Sequence, residues 1–311
     1  MIAYIFPGQG SQVTGMGQDL FTHFSEARSV FEEADRSLEF SLSDLCFKGP
    51  EERLKLTENT QPAILAVSIA AFRILSARGQ KPRYVAGHSL GEYSALVAAG
   101  SLDLPQALQT VRKRGKYMQE AVPIGEGAMA AILGAGKAQV VELCQEASQG
   151  EILAAANLNS PSQIVISGAA AAVNRALALA KSKGIRRAML LPVSAPFHCG
   201  LMQSAQQRLS QDLERIVFRD LEFPLINNAD AMELRAGSSI PDSLSRQVCA
   251  PVRWTETVER LVECGVRLFV ELGPGKVLSG LVRQIDKNLE TAHVEDSKSL
   301  AETLEILSRH A

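Results

Sequence analysis

The sequence predicts an α/β fold, in which a mostly parallel sheet carries an inserted subdomain, and three observations support this class. Short apolar segments with strand propensity alternate with helix-length segments, beginning at Ile2–Phe6. A second such segment, Tyr84–Ala86, leads through a glycine-flanked turn into the small residues Glu92–Ala99. Between residues 125 and 195 the order changes to β-α-β-β-α-β, which predicts a separate small unit. Strands that alternate with helices around one central strand indicate a parallel sheet covered on both faces.

The first third of the chain is predicted to be mainly helical outside its two strands. Apolar residues recur at helical spacing in three segments, namely Phe21–Leu38, Ala63–Leu75 and Leu104–Glu120. The second helix is expected to begin at Thr60-Gln61-Pro62, because proline is favoured in the first turn of a helix. Asp103 is expected to cap the third helix.

The middle of the chain is predicted to form a ferredoxin-like subdomain over residues 125–195, inserted between core segments 1–124 and 196–311. Its expected elements are strands at Ala128–Leu133, Ile152–Asn157, Gln163–Ser167 and Arg187–Val193 and helices at Lys137–Ser148 and Ala170–Lys183. The core is then expected to resume with strands Leu225–Asn228 and Val266–Leu272 and helices Trp254–Cys264, Lys276–Ile285 and Ser297–Arg309.

Composition and charge argue against several classes of function. The net charge of −2 gives no basic excess, so no nucleic-acid partner is expected. No apolar run is recognised as long enough to span a membrane, so no membrane role is expected. Five dispersed cysteines without a C-x-x-C pair predict reduced thiols in the cytoplasm and no metal site. These features do not determine the oligomeric state, for which a monomer is the expectation.

The segment Gly87–Gly91 has the G-x-S-x-G pattern between a strand and a helix, which is typical of a nucleophile elbow. Such a turn lifts the serine oxygen above the sheet and points it at the first turn of the helix, whose free N–H groups favour an oxyanion. A serine in an ordinary glycine-flanked turn is the alternative. The strand before, the helix after and the small neighbours favour catalysis, so Ser89 is predicted as the nucleophile of an α/β-hydrolase-like core.

A serine hydroxyl needs a base to take its proton, and the five histidines differ in their suitability. Three lie in polar segments typical of a surface, and His88 leaves the elbow turn in a different direction from Ser89. His198 lies in an irregular segment where the inserted unit returns to the core, so it is the candidate base. No carboxylate stands out as a third member. The sequence therefore predicts a Ser–His dyad whose imidazole is oriented by main-chain carbonyls.

Two further questions about the site stay open at this point, the role of one cysteine and the choice between two arginines, and one alternative function, dinucleotide binding, is excluded. Cys199 is a rival nucleophile beside the histidine, although nothing around it suggests a reactive thiolate. Arg112 and Arg114 both lie at the edge of the buried stripe of their helix, and periodicity does not say which one reaches a cleft. The Pro7–Gln12 loop lacks the third glycine of a dinucleotide-binding fingerprint. Close approach of its backbone to a reacting group is the better interpretation.

Seven motifs then identify a family, and they occur in order along nearly the whole chain. They are FPGQGSQ at Phe6–Gln12, TQPA at Thr60–Ala63, GHSLGEYSAL at Gly87–Leu96, RGKYMQEAVP at Arg114–Pro123, NSPSQIVISG at Asn159–Gly168, APFHC at Ala195–Cys199 and ELGPGKVLSGL at Glu271–Leu281. Together they resemble the malonyl-CoA:acyl carrier protein transacylases. The resemblance implies a ping-pong reaction in which malonyl passes from coenzyme A to the serine, then to the phosphopantetheine thiol of acyl carrier protein, for fatty acid biosynthesis. It implies no cofactor, since coenzyme A is a substrate.

The resemblance also implies the reacting groups of the site. Ser89 is implied as the nucleophile and His198 as the general acid and base. The backbone N–H groups of Gln9 and Leu90 are implied as the oxyanion hole. The main-chain carbonyl of Gln247 is implied to hold the histidine in place of a triad acid.

Substrate recognition is implied by the same comparison of motifs. Arg114 corresponds to the arginine that pairs with the malonyl carboxylate, which decides between it and Arg112; a planar guanidinium suits this bidentate role. Gln61 and Asn159 match residues near the site. Phe197 departs from the pattern, because stand-alone bacterial members often carry a smaller residue there. We expect its bulky ring to exclude acyl groups with an α-methyl branch from the site, and the protein therefore to prefer malonyl over methylmalonyl.

Alternative functions share most of these features. A serine thioesterase or hydrolase has the same elbow and dyad, a non-catalytic scaffold would bind the carrier protein alone, and a trans-acting acyltransferase of a polyketide assembly line has identical chemistry. The acidic carrier protein of the family could dock on basic residues, for which ordinary solvated charge is the alternative. The candidates are Arg112, Lys113, Lys116, Lys181, Lys183, Arg186 and Arg187.

Overall fold

The computed structural model describes residues 1–310, and its strands form two separate sheets. The strands are β1 Ile2–Phe6, β2 Tyr84–Gly87, β3 Gly127–Leu133, β4 Leu153–Ser160, β5 Gln163–Ala169, β6 Arg187–Leu190, β7 Leu225–Ile226, β8 Glu233–Leu234, β9 Leu268–Leu272 and β10 Glu290–Val294. The larger sheet has the order β10-β9-β1-β2-β7-β8, with every neighbouring pair parallel except β7 and β8. The predicted α/β class with a mostly parallel sheet is confirmed.

Helices cover both faces of the larger sheet. They are α1 Gln18–His23, α2 Ser25–Leu38, α3 Leu42–Lys48, α4 Glu51–Leu54, α5 Thr57–Ala77, α6 Gly91–Ala98, α7 Leu104–Glu120, α8 Lys137–Ser148, α9 Ala170–Ser182, α10 Gln203–Leu213, α11 Ile240–Gln247, α12 Trp254–Glu263, α13 Val277–Ile285 and α14 Ser297–Ser308. Alternate side chains of β1 point to opposite faces of the sheet. Tyr4 and Phe6 pack in the core that includes α2, α5 and α7, whereas Ala3 and Ile5 pack in the core that includes α12 and α13.

The smaller sheet is antiparallel, has the order β4-β5-β3-β6, and lies entirely between residues 127 and 190. Helices α8 and α9 pack on it and share with it a hydrophobic core of its own. The predicted inserted β-α-β-β-α-β unit is therefore confirmed as a feature of the fold. The division into segments 1–124, 125–195 and 196–311 stays a prediction.

Helix α5 begins earlier in the chain than predicted. It begins at Thr57, so Pro62 lies in its second turn and not in its first. The extra turn is held by polar side chains that donate to the preceding segment: Asn59 Nδ2 to the Arg53 carbonyl at 2.9 Å and Thr60 Oγ1 to the Leu54 carbonyl at 2.5 Å. The TQPA motif is therefore helical, and Gln61 leaves a helix with its side chain buried.

This longer helix also corrects the expectation that no apolar run has membrane-spanning length. Within residues 1–310, α5 alone is long and apolar enough to cross a membrane, and 78% of its most apolar window is buried inside the protein. Burial of this kind is usual for the central helix of a core.

Several short elements were not predicted. The helix expected over Phe21–Leu38 is divided at Phe24, whose backbone is extended between α1 and α2. Strands β8 and β10 and helices α10 and α11 lie in segments without a predicted element. Strand β10 follows α13 and extends the parallel sheet beyond β9, with which it pairs.

Candidate active site

The turn between β2 and α6 holds Ser89 in a left-handed backbone conformation, with φ of 52°. Two glycines make this turn possible because the chain passes very close to itself. A Cβ on Gly87 would lie 1.9 Å from the carbonyl carbon of Gly91, and one on Gly91 would lie 2.0 Å from the carbonyl oxygen of Phe6. Non-glycine residues with positive φ carry strain that the surrounding structure must compensate. The turn has the geometry that the G-x-S-x-G pattern predicts.

Asn228, which was not predicted as a site residue, fixes this turn from the end of the neighbouring strand β7. Its Oδ1 accepts the backbone N–H of Ser89 at 2.6 Å, and its Nδ2 donates to the carbonyl of Gly87 at 2.6 Å. The residue is fully buried just after β7. Its position directly after a strand next to β2 was the available signal, since ends of neighbouring parallel strands meet at one edge of a sheet.

Ser89 and His198 form a hydrogen-bonded pair. The distance between Ser89 Oγ and His198 Nε2 is 2.7 Å, and His198 Nδ1 lies 2.9 Å from the main-chain carbonyl oxygen of Gln247. A carbonyl only accepts, so Nδ1 carries the proton and Nε2 is free to accept the serine proton. Burial, and then the nearby charge of Arg114, lower the pKa of His198 to about 3. The imidazole is therefore neutral and able to act as a base at physiological pH.

Arg114 leaves α7 toward the serine, and its side chain is 1% exposed. Its Nη1 donates to Gln61 Oε1 at 2.9 Å, and its Nη2 donates both to Gln247 Oε1 at 2.9 Å and to Ser89 Oγ at 3.0 Å. Arg112 instead points away, stacks over the ring of Phe40 and donates to a main-chain carbonyl. The structure thus brings Arg114, and not Arg112, to the nucleophile.

Gln247 joins several of these groups through its side chain as well as its carbonyl. Its Nε2 donates to the main-chain carbonyl of Ser89 and to Glu92 Oε2, both at 3.0 Å. Glu92 lies in the first turn of α6, is 1% exposed, and was not predicted as a site residue. Burial raises the pKa of Glu92 to about 7, although Gln247, the N–H of Asn228 and the charge of Arg114 each favour its ionised form.

A cavity of about 210 Å³ opens above the serine, between the two sheets. Its walls contain the predicted residues Gln9, Gln61, Ser89, Leu90, Arg114, Asn159, Phe197 and His198, together with His88, Met118, Met129, Ala131, Asn157, Gln163, Val165, Leu191 and Val193. His88 Nε2 lies 2.8 Å from Asn159 Oδ1, so the elbow contacts the smaller sheet directly. Of the predicted site residues, Gln247 alone does not line the cavity and lies behind it.

The loop after β1 packs closely against the elbow. A Cβ on Gly8 would lie 2.5 Å from the carbonyl oxygen of His88, so only glycine fits there. The loop also places Gln9 in the cavity wall beside Leu90. Among residues 1–310, no protein group accepts the backbone N–H of either Gln9 or Leu90. Both amides are thus available to a ligand atom.

The rival nucleophile Cys199 does not share this environment. Its thiol is buried, contacts the carbonyl of Pro196, and has a pKa that burial raises. A raised pKa leaves little thiolate, which is the reactive form of cysteine. All five cysteines are free thiols. Within residues 1–310, no group of three or more His, Cys, Asp or Glu side chains is arranged to hold a metal ion.

Known proteins resemble this chain over nearly its full length. Residues 3–303 match the family described as the acyl transferase domain. The malonyl CoA-acyl carrier protein transacylase of Bacillus subtilis (strain 168) is 46% identical over 98% of this chain and 97% of its own length. The protein of the same name from Escherichia coli (strain K12) is 44% identical over 98% of this chain and 99% of its own length.

Solved structures show the same relationship. The crystal structure of an acyl carrier protein S-malonyltransferase from Vibrio cholerae O1 biovar eltor str. N16961 has a TM-score of 0.95 and 46% identity, over 97% of this chain and 99% of its own. A structure of a type II PKS acyl-carrier protein in complex with its malonyl-transacylase contains a chain with a TM-score of 0.96 and 47% identity, over 98% of this chain and 99% of its own. The chain therefore belongs to the acyl transferase family and, within it, to the malonyl CoA-acyl carrier protein transacylases.

Proposed function

We propose that this protein transfers a malonyl group from coenzyme A to the phosphopantetheine thiol of acyl carrier protein, through a malonyl ester on Ser89. The observation that carries the proposal is the convergence of a base and a cation on one oxygen. Ser89 Oγ lies 2.7 Å from His198 Nε2 and 3.0 Å from Arg114 Nη2. Family membership supports malonyl-CoA and the carrier protein as the two substrates.

In the first half-reaction, Oγ of Ser89 attacks the thioester carbon while Nε2 of His198 takes the hydroxyl proton. The oxyanion that forms is held by the backbone N–H groups of Gln9 and Leu90, which have no other acceptor among residues 1–310. Collapse breaks the C–S bond, and the His198 imidazolium returns the proton to the coenzyme A sulfur. The carbonyl of Gln247 keeps Nδ1 protonated throughout and takes the place of a triad acid.

The second half-reaction reverses these steps with a new thiol. His198 takes the proton of the phosphopantetheine thiol, the sulfur attacks the ester carbon, and Ser89 leaves as an alkoxide that recovers the proton from the imidazolium. Both halves use the same base and the same oxyanion hole. The Ser–His dyad therefore carries out every proton transfer, and the two backbone amides stabilise both oxyanions.

Arg114 selects the acyl group by charge. Its guanidinium is buried and bracketed by Gln61 and Gln247, and its Nε has no acceptor within residues 1–310. A free carboxylate on the bound acyl group supplies the anion that this donor set lacks, whereas acetyl leaves it unpaired. The apolar ring of Phe197 and the side chain of Asn159 also line the cavity. A carboxylate clamp of this kind favours transfer of malonyl over general thioester hydrolysis.

We further propose that the reaction needs no metal or cofactor, because each step is assigned to a group of the chain or of its two substrates. We assign the protein to the cytoplasm, where both substrates and five free thiols are compatible with the environment. The segments 1–124 and 196–311 supply the nucleophile, base and arginine, and segment 125–195 supplies Asn159 and one wall of the cavity.

Fatty acid biosynthesis is the pathway that this activity would serve. Service to a polyketide assembly line is the second candidate, since one structural relative at 47% identity is a malonyl-transacylase bound to a type II PKS acyl-carrier protein. The two functions share every chemical step and differ only in the carrier protein. Transfer rates to a fatty acid and a polyketide carrier protein, measured with the same malonyl-enzyme, separate them.

Intact mass spectrometry tests the proposal directly. Incubation with malonyl-CoA should add one malonyl group, the adduct should map to Ser89, and addition of holo-acyl carrier protein should move it to the carrier. Ser89→Ala is the matched control and should stay unmodified. Release of free malonate before the carrier is added would favour a thioesterase, and absence of an adduct would overturn the proposal.

A further inference from the structure

Glu92 is a buried carboxylate beside the nucleophile that the proposed reaction does not use. It lies three residues after Ser89, and a single oxygen, Oε2, accepts from Gln247 Nε2 and from the backbone N–H of Asn228, each at 3.0 Å. Neither contact reaches the cavity, which Glu92 does not line. Glu92 is 1% exposed. Burial of a carboxylate costs free energy unless its hydrogen-bond partners compensate for the lost hydration, so a buried glutamate at this position suggests a specific role.

The side-chain amide of Gln247 can form all of its observed hydrogen bonds in only one of its two orientations. Its two N–H groups go to Glu92 Oε2 and to the carbonyl of Ser89, and its oxygen accepts from Arg114 Nη2. A 180° flip of the amide would put its oxygen against two acceptors and its N–H groups against the guanidinium. Glu92 therefore helps to determine which end of Gln247 faces Arg114.

We propose that Glu92 is a positioning residue for substrate selection: through the Gln247 amide it holds the Arg114 guanidinium where the carboxylate of the acyl group will meet it. The inference rests on the proposed function and extends it to a residue that touches neither substrate. The hydrogen bonds run from Glu92 to Gln247 and from Gln247 to Arg114. Loss of Glu92 should thus impair recognition of a carboxylate more than the chemistry of Ser89.

The surroundings of Glu92 support this assignment. Arg114 is also buried, and the side chain of Glu92 faces it through the Gln247 amide. The other ionisable groups nearby are Tyr93 on the same helix, Asp230 after β7 and His198 across the site. None of these bonds to the Gln247 side chain, so Glu92 is the acid positioned to fix its orientation.

The test compares acylation of Ser89 by malonyl-CoA and by acetyl-CoA in three variants. Glu92→Ala removes the acceptor, and Glu92→Gln keeps an acceptor oxygen for both donors. Glu271→Ala is the matched control, because Glu271 is likewise buried and accepts two backbone N–H groups, from Leu278 and Ser279. Glu271 lies in β9, does not line the cavity, and serves to control for loss of a buried carboxylate.

We expect Glu92→Ala to lower kcat/KM for malonyl-CoA by about 10- to 100-fold, the range for loss of a hydrogen bond in a charged network, mainly through KM. The rate with acetyl-CoA should change by less than about 3-fold. Glu92→Gln should restore most of the malonyl preference. Glu271→Ala should lower thermal stability while the malonyl-to-acetyl ratio stays at the wild-type value.

Equal losses with both thioesters in Glu92→Ala, or a Glu92→Gln variant as poor as Glu92→Ala, would overturn the positioning role. If Glu92→Ala does not fold, Gln247→Leu replaces it, since that variant retains the main-chain carbonyl for His198. A wild-type malonyl-to-acetyl ratio in Gln247→Leu would also overturn the role. Failure of the wild-type protein to form a malonyl ester would instead reject the proposed function, so the two failures are distinguishable.

Discussion

Ser89 and His198, separated by 109 residues, both adopt left-handed backbone conformations, with φ of 52° and 59°, and their side chains meet at 2.7 Å. Neither residue is a glycine, so each position carries backbone strain that the fold sustains. At Ser89 the strain is balanced by Asn228, which accepts the serine N–H and donates to Gly87. The backbone thus aligns the side chains of the proposed nucleophile and base without a substrate.

The strain at Ser89 predicts a stability difference between two inactive variants. Ser89→Ala and Ser89→Gly should both fail to form the malonyl ester, but the glycine variant should be more stable by about 1 kcal/mol because glycine lacks the Cβ that disfavours positive φ. Urea unfolding of the two variants measures this difference. An alanine variant as stable as the glycine variant would show that the turn is unstrained.

The low pKa of His198 predicts an unusual pH profile. Burial and Arg114 both disfavour the imidazolium, so the base stays neutral well below the ordinary histidine pKa of about 6.5. We expect kcat/KM for acetyl-CoA to show no loss of activity as the pH falls through that value. Acetyl-CoA is the suitable substrate because its acyl group carries no carboxylate for Arg114.

The contribution of Arg114 to that pKa gives the control for the pH experiment. Removal of a nearby cation stabilises the imidazolium, so Arg114→Ala should raise the His198 pKa and move the acid limb to higher pH. An unchanged limb would mean that burial alone sets the pKa. A wild-type profile that already falls near pH 6.5 would contradict the prediction at its first step.

Selectivity for malonyl should depend on Arg114 and not on its neighbour Arg112. Arg114→Ala should lower malonyl turnover by about 100-fold or more, as expected for loss of a buried charge pair, while acetyl transfer stays equal or improves. Arg112→Ala on the same helix is the matched control, and its arginine stacks on Phe40 outside the cavity. The measurement is the transfer rate of each variant with malonyl-CoA and with acetyl-CoA. Equal losses of both activities in Arg114→Ala would show that Arg114 has only a structural role.

Ser89 and His198 could be predicted as reacting residues because their chemistry leaves a local pattern, and the structure brings the two side chains within hydrogen-bond distance. The elbow around Ser89 has strand, glycines and helix within a few residues, and His198 follows the return of the inserted unit. The role of the Gln247 carbonyl came only from the family resemblance, since a main-chain oxygen has no residue type that marks it. Periodicity likewise left Arg112 and Arg114 equivalent, because both flank the buried stripe of α7.

The sequence has no local pattern that marks Glu92, and Asn228 is marked only by its position after a strand, because the contacts of both residues are long-range. Asn228 bonds to the elbow across 139 residues and Gln247 bonds to Glu92 across 155. Within the fold, the start of α5 was wrong because proline was assigned to the first turn, whereas side-chain hydrogen bonds from Asn59 and Thr60 extend the helix before it. Tertiary contacts overrode a local preference there.

The ring of Phe197 should set selectivity against branched acyl groups. It is 8% exposed and lines a cavity of about 210 Å³, so an α-methyl group would compete with it for space. Phe197→Ala should raise kcat/KM for methylmalonyl-CoA relative to malonyl-CoA by about 10-fold, the typical value of one methyl group in a pocket. Leu191→Ala, which enlarges another wall, is the control. Comparable turnover of both thioesters by the wild-type protein would refute the role of the ring.

Three of the seven basic residues that could dock the carrier protein are paired with acids. Lys183 lies within 2.8 Å of Glu142 and 2.7 Å of Glu146, and Lys113 and Lys116 pair with Asp212 and Glu120. By contrast, Arg186 and Arg187 are exposed and have no acidic partner among residues 1–310. They border a surface cavity that also contains Gln163, a residue of the active-site wall. Lys181 is likewise exposed and has no acidic partner among residues 1–310, but it does not border this cavity, so the two arginines are the candidate docking charges that we test.

Charge reversal at Arg186 and Arg187 should therefore weaken the second half-reaction selectively. We expect the double variant with glutamate at both positions to raise KM for acyl carrier protein by about 10-fold at low salt and to reduce the dependence of kcat/KM on ionic strength. The rate at which malonyl-CoA loads Ser89, measured separately, should change less. The matched control is the double variant Lys113→Glu with Lys116→Glu. Both lysines lie on α7 and already form ion pairs, with Asp212 and Glu120 respectively. If both double variants lose carrier-protein activity to the same extent, the effect reflects net charge and the two arginines form no docking surface.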